Sequence, residues 1–148
     1  MPIVYLDNCC YNRPYDTQKE ETIKLETEAK LYIQELIKQG ILNLVWSFIL
    51  DFENNANPFI EQKESIFEWK KIAEIYVPAL DDLRIKANQI QKMTGLKAKD
   101  SLHVACALFA KADYLITTDK KMLKTGYEGV TIINPVNFVF KISEEELE

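Results

Sequence analysis

Four acidic positions have the strongest claim on chemistry: Asp7, one of Asp51 and Glu53, Asp100 and Asp119. Each lies at or just beyond the end of an apolar run, or at the start of an apolar helix. Asp7 follows Ile3 to Leu6, Ser47 and the acids after it follow Ile41 to Trp46, and Thr117, Thr118 and Asp119 stand at the end of the third apolar run, Tyr114 to Thr117. Asp100 falls in the first turn of a helical pattern, where free backbone N–H groups stabilise an anion. In an open parallel sheet, ligands bind beyond the carboxyl ends of the strands, so these acids are expected at one edge. Carboxylates within a few ångströms of one another repel and raise each other's pKa unless a cation joins them. Mg²⁺ or Mn²⁺ suits such a set, because each takes oxygen ligands, lowers the pKa of a bound water and neutralises charge developing on a phosphodiester. Phosphodiester hydrolysis is the reaction class that follows. Asp51 and Glu53 stand about 200° apart on a helix, so only one of the two faces the site.

These acids have to be held by a sheet and its connections. Ile3 to Leu6 reads as a strand and the polar, proline-containing stretch Asn8 to Asp16 as a loop. Thr17 and Glu20 form a capping box for a helix that carries Leu25, Ala29, Tyr32, Ile33 and Leu36 at helical spacing and stops at Gly40. Ile41 to Trp46 is a second strand, with Ser47 as N-cap of a helix to Asn55. Asn57-Pro58 opens a further helix through Ile66, Trp69, Ile72 and Ala73. Asp81 and Asp82 open another, with Leu83, Ala87, Ile90 and Met93 on one stripe and Gly95 as the stop, so Asn57 to Gly95 reads as all-helical. From Ala98 to Phe109 the pattern is apolar on nearly every side, which predicts a buried central helix. Tyr114 to Thr117 and Val130 to Ile133 are the remaining strands, Asp119 to Lys124 is a short helical turn, and Val136 to Ile142 is a terminal helix. Alternating strands and helices imply a parallel sheet covered on both faces.

The 148 residues suffice for one core, and 47% apolar with 28% charged residues is an ordinary globular composition. Four glycines argue against glycine-rich phosphate loops. Three cysteines, with Cys9 and Cys10 adjacent, make no disulfide framework and are read as small core or loop residues, Cys106 included. A single His103 without a CxxC pair excludes structural zinc. No run reaches the roughly 18 to 20 apolar residues of a membrane span, and no basic leader precedes the first strand, so the chain is expected in the cytoplasm.

Asp7, Ser47 with Glu53 six residues on, Asp100 within Gly95-Leu96-Lys97-Ala98-Lys99-Asp100-Ser101-Leu102-His103, and Thr117-Thr118-Asp119 together resemble the PIN-domain family. The order and spacing of these motifs cover nearly the whole chain. PIN domains are metal-dependent ribonucleases, and the small bacterial ones are often VapC-like toxins. The resemblance implies a three-layer α/β/α sandwich with a central, mainly parallel sheet of four to five strands, spanning residues 1 to 142 as one domain before an acidic tail, 143 to 148. It implies that Asp7, Glu53, Asp100 and Asp119 bind Mg²⁺ or Mn²⁺, that Ser47 and Thr118 position these acids and a water, and that RNA is cleaved to 5′-phosphate and 3′-hydroxyl ends. It also implies pairing into homodimers and, for a toxin, an antitoxin partner that inserts a segment into the acidic groove. The stretch from Asn8 to Pro14 is longer than in the commonest small toxins. It carries Arg13, and Lys97 and Lys99 flank the third acid; these three and Lys120 are candidate phosphate contacts.

Plainer roles compete at each position. Asp7 suits a strand-to-loop turn, Asp100 complements a helix dipole and Asp119 suits an N-cap. His103 is read as a buried, hydrogen-bonded residue rather than a base, and Trp46, Phe48, Phe52, Phe67 and Trp69 as core or dimer surface. Lys120, Lys121 and Lys124 form either a solvated face or a phosphate rim. The competing function is a non-catalytic PIN-type or receiver-like α/β binding module. A receiver requires a pair of acids after its first strand, where only Asp7 stands. The net charge of −5 argues against a broadly basic RNA binder. Setting aside the four site acids and the tail residues Glu144, Glu145, Glu146 and Glu148, however, leaves 15 acids against 18 bases.

Overall fold

The structure is a computed structural model that describes residues 1–18 and 20–145. Strands β1 (Ile3–Leu6), β2 (Asn43–Ser47), β3 (Ile75–Val77), β4 (Tyr114–Ile116) and β5 (Thr131–Ile133) form one sheet in the order β3-β2-β1-β4-β5. Every neighbouring pair is parallel. Parallel strands between helices are buried on both faces and read as continuous apolar runs rather than alternating ones. Accordingly Val4, Tyr5, Leu6, Leu44, Val45, Trp46, Leu115 and Ile116 are all buried.

Helices α1 (Asn8–Asn12), α2 (Glu21–Lys38), α3 (Phe48–Asn55), α4 (Ile60–Ile72), α5 (Asp81–Thr94), α6 (Ala98–Phe109), α7 (Lys120–Thr125) and α8 (Pro135–Glu145) connect and cover the strands. Helix α2 packs on α8, and α5 packs on α6. The β1-to-β2 and β3-to-β4 crossovers traverse the sheet in opposite directions, so right-handed connections place α2 and the α5–α6 pair on opposite faces. The strand order reverses at central β1, and the crevice at that switch point is where an open α/β sheet presents its ligand site. A receiver sheet sets its first strand beside its third. Here β1 lies between β2 and β4, so the receiver-like alternative does not fit the topology.

Several local expectations are corrected. Asn8 to Asp16 is not a loop: it holds α1 and a 3₁₀ turn, Arg13–Tyr15, because the Asp7 side chain caps the first turn and Cys10 and Tyr11 are buried beneath it. The Thr17/Glu20 capping box does not form; α2 begins at Glu21 with no side-chain cap. Its inward stripe is Ala29, Ile33, Leu36 and Ile37, while Leu25 and Tyr32 face solvent. Asn57 Oδ1 accepts a hydrogen bond from Phe59 N at 3.0 Å, and this local turn delays α4 to Ile60. The region from Asn57 to Gly95 is not all helix, because Ile75–Val77 pairs with β2 as an edge strand. On α5, Leu83, Ala87 and Ile90 turn inward but Met93 is 75% exposed. Helix α6 buries Val104 to Ala107, and Gly95 ends α5 in the left-handed region at φ +76°. Ser143 to Glu145 continue α8 rather than begin a tail, and the rest of the expected tail, Glu146 to Glu148, lies outside the described residues.

Candidate functional site: an acidic cleft at the switch point

The end of β1 supplies Asp7, and its carboxylate is nearly buried and closely held. Oδ1 accepts from Asn8 N at 2.7 Å, and Oδ2 accepts from Thr117 Oγ1 at 2.8 Å and from Cys9 Sγ at 3.5 Å. The end of β4 supplies Asp119, which caps α7 by accepting from Met122 N at 2.9 Å. Asp119 N in turn donates to Thr117 Oγ1 at 3.0 Å, so one hydroxyl ties the ends of β1 and β4 together. The two neighbouring strands thus present their acids at the crevice between them.

Glu53 comes from α3 and Asp100 from the first turn of α6. Asp51, the rival of Glu53, points elsewhere: it accepts from Trp46 Nε1 at 2.8 Å, Tyr76 OH at 2.7 Å and Lys70 Nζ at 3.1 Å. Burial acts to raise the Asp51 carboxyl, but these bonds together hold it below its ordinary pKa. The structure therefore brings Asp7, Glu53, Asp100 and Asp119 to one cleft of about 380 Å³, with Arg13 and Asp16 on its wall.

His103 lies one turn beyond Asp100, fully buried beneath the cleft. Its Nε2 is 2.5 Å from Glu53 Oε1 and 3.4 Å from Asp7 Oδ1. Its Nδ1 is 2.6 Å from Tyr5 OH, which is 2.7 Å from Ser47 Oγ. Burial alone would lower the imidazole pKa, but the charge of Asp7, the hydrogen bond and charge of Glu53 and the charge of Asp100 raise it to about 9. With both ring nitrogens protonated, Nε2 donates to Glu53 and Nδ1 to Tyr5 OH, which passes its own hydrogen to Ser47 Oγ. Burial, then the charges of Asp7 and Asp119, and lastly that of Glu53 push the Asp100 carboxyl up, with His103 opposing them.

Two supporting roles expected from the sequence move to other atoms. Ser47 caps α3, with its Oγ 3.4 Å from Leu50 N, and meets Tyr5 rather than any of the four acids. Thr118 accepts from Arg13 Nη2 at 2.7 Å, and the hydroxyl on Asp7 is that of Thr117. Arg13 is held away from a free phosphate-reading role by Asp16 at 2.9 Å and Glu26, whose Oε1 faces Nε at 3.3 Å without hydrogen-bond alignment. Lys97, Lys99 and Lys120 are exposed, and Lys99 Nζ stands 5.3 Å from the ring centre of Phe52. Among the described residues, none of these three lysines forms an ion pair with the four acids. Sequence reasoning assigned no role to Tyr5 or Asp16, and it placed Thr117 in the motif while assigning the positioning role to Thr118. The Asp100–His103 spacing was the signal that places the imidazole on the acid-bearing side of α6.

The donor set fits a hard divalent ion. Asp7 and Glu53 each offer an oxygen within 4.8 Å of the other, Asp100 and Asp119 add oxygens across the same cleft, and His103, protonated on both ring nitrogens, stands beside them as a counter-charge rather than a ligand. His103 supplies a counter-charge to two of the acids and so leaves part of the negative charge uncompensated.

No family model matches the chain, and neither does any curated protein. A search of solved structures finds a similar chain in VapBC2 from Rickettsia felis, a complex bound to a DNA fragment from its promoter. The similarity covers 89% of this chain and 98% of that one, with a TM-score of 0.55 and 15% sequence identity. At that identity the likeness is one of fold, and the chain has a PIN-like α/β fold.

Proposed function

We propose that this protein is a divalent-metal-dependent endoribonuclease and the toxin member of a toxin–antitoxin pair. The observation that carries the reading is the convergence of Asp7, Glu53, Asp100 and Asp119, from four separate elements, in one cleft at the sheet's switch point. These four acids would hold Mg²⁺ or Mn²⁺. When bound, the ion supplies positive charge to the phosphodiester oxygens and lowers the pKa of a nearby water. Thr117 fixes the Asp7 carboxylate and the start of α7 against each other. His103, braced by Tyr5, orients Glu53 and limits the repulsion between Glu53 and Asp7. Water displaces the 3′-oxygen at phosphorus, leaving a 5′-phosphate and a 3′-hydroxyl. Exposed Lys97, Lys99 and Lys120 attract the flanking phosphates, and Arg13 borders the cleft.

The solved neighbour comes from VapBC2, and this supports an antitoxin partner; in the proposed complex that partner inserts a segment into the acidic groove. A homodimer in the cytoplasm is the expected state; among the described residues no helix is long and apolar enough to cross a membrane. The test is Mn²⁺- or Mg²⁺-dependent cleavage of a mixed RNA pool by wild type and Asp7→Asn. Asn retains the N-cap, so the variant should fold and lose more than about 100-fold in rate, since outer partners of metal ligands alone cost roughly 10- to 100-fold. Equal activity in the two proteins, or none with either metal, sinks the reading.

A non-catalytic PIN-type module is favoured by one observation, the counter-charge that His103 already gives Asp7 and Glu53. Calorimetry with Mn²⁺ separates the two readings, because a vestigial acid set binds no ion.

A further inference from the structure

A second groove, of about 440 Å³, opens directly beside the acidic cleft and shares Asn8, Asn12, Asp16 and Glu53 with it. Its further walls come from the 3₁₀ turn and from the α3–α4 connection. We propose that this groove binds one unpaired nucleobase of an RNA strand whose phosphate occupies the acidic cleft. The inference rests on the ribonuclease reading and names the feature of the substrate which that reading leaves open.

Three observations carry it. Tyr15 and Phe59 line the groove and are 46% and 62% exposed, although an aromatic ring left in water forgoes its burial free energy. Rings held open beside a nucleic-acid site are what an unpaired base stacks on. Phe59 is also held in place: the turn in which Asn57 Oδ1 accepts from Phe59 N fixes the residue just before α4. Next, the polar groups of the groove are mostly carboxamides, from Asn8, Asn12, Asn57 and Gln62. A carboxamide offers a donor and an acceptor together, the combination that matches the edge of a base; Asn57 Oδ1 already accepts from Phe59 N and Asn12 Nδ2 donates to Asn8 O, so these two present chiefly their other amide atom. Asn8 Oδ1, at the junction of the two cavities, has no hydrogen-bond partner.

The third observation is charge. Among the described residues no Lys or Arg lines this groove, and Asp16 and Glu53 stand at its edge. A phosphate is repelled there and a neutral base is not, whereas the acidic cleft would accept the phosphate once a cation offsets its acids, so the base and phosphate of one nucleotide would be sorted between the two cavities. The volume lies within the range of roughly 300–1,000 Å³ usual for small-molecule sites. Base-paired RNA cannot place a base there without unstacking it, so the groove selects single strands and loops.

The experiment uses a phosphorothioate oligoribonucleotide carrying 2-aminopurine, and the same oligomer with abasic sites, each bound in Ca²⁺ to the full chain. Wild type should quench 2-aminopurine and bind the base-bearing oligomer more tightly than the abasic one. Tyr15→Ala and Phe59→Ala should each weaken the base-bearing oligomer about tenfold, the loss of one base–aromatic stack, and leave the abasic one unchanged. Phe59→Trp should restore binding. Both rings are exposed, so melting temperatures should match wild type. Equal affinity for the two oligomers, no binding of either, or parallel loss of both in the variants overturns the proposal. So does retention of RNA binding while the variants lose an arginine- and phenylalanine-containing peptide, which assigns the groove to a protein partner. Hydrolysis is read separately with Mn²⁺, so failure of the nuclease reading leaves the quenching result intact, and the reverse also holds.

Discussion

His103 is a cation held under two carboxylates, and the absence of any other base from that position makes its effect measurable. The ordinary pKa of 6.5 applies in the unfolded chain and about 9 in the folded one, so folding favours the protonated ring. Its contribution to stability is complete below about pH 6.5 and is lost as pH rises through about 9. Urea midpoints of the metal-free protein should therefore fall across that window, and the fall should vanish in His103→Gln. At neutral pH that variant should lose roughly 3–5 kcal/mol, the usual cost of stranding one side of a buried ion pair. An unchanged midpoint contradicts this account. Thr117 and Thr118 provide a second contrast. Thr117→Val removes the hydroxyl shared by Asp7 and Asp119 and should cost roughly 10- to 100-fold in Mn²⁺ affinity, as loss of an outer partner does. Thr118→Val releases only Arg13 Nη2 and should leave Mn²⁺ affinity within about twofold of wild type in the same titration, because it touches no outer partner of the acids.

At the level of elements, the joint between α5 and α6 delivers Asp100, and Gly95 makes that joint possible. Its φ of +76° lies in the left-handed region, and a Cβ there would meet nothing within 4 Å. Gly95→Ala should therefore cost only the backbone penalty of about 1–2 kcal/mol, read as a shift in urea midpoint without a change in slope. Helices with caps and stops were legible in the sequence for this reason: Gly95, Ser47 and the Asp81–Asp82 pair act through local geometry that composition alone reveals. Elements made by tertiary contact were not. Ile75–Val77 is three residues long, too short to show a period, and it is a strand only because β2 pairs with it. Helix α1 has five residues and depends on the Asp7 cap and on packing beneath it, so Pro14 and the surrounding polar residues read as loop. The four acids that line the cleft could be picked out because Asp7 and Asp119 follow strands and Glu53 and Asp100 lie on helices whose starts the sequence marks. Thr117 was passed over in favour of Thr118 because adjacent residues at a strand end point in different directions, and spacing does not say which one turns back toward Asp7.

For the molecule as a whole, the charge of −5 is unevenly placed. Four acids share one cleft with a fifth, Asp16, on its wall, and His103 offsets only part of them. Folding therefore stores repulsion that a bound ion would relieve, and on the metal-dependent reading proposed above such an ion would stabilise the fold by mass action. At Mn²⁺ a hundred times its dissociation constant, wild type should gain about 2.7 kcal/mol and Asp7→Asn much less. Thermal melts with and without Mn²⁺ read the difference, and equal shifts in the two proteins contradict the cleft as the binding site.

The position of β1 has a consequence in time as well as in space. Strand β1 is the centre of the sheet, and it pairs with β2 and with β4, whose residues come more than a hundred positions later for the pair Val4 and Tyr114. Asp7 is synthesised 110 residues before Thr117, and the two cannot meet until β4 has emerged. A nascent chain has no acidic cleft. The cleft closes into shape only as β4 docks against β1.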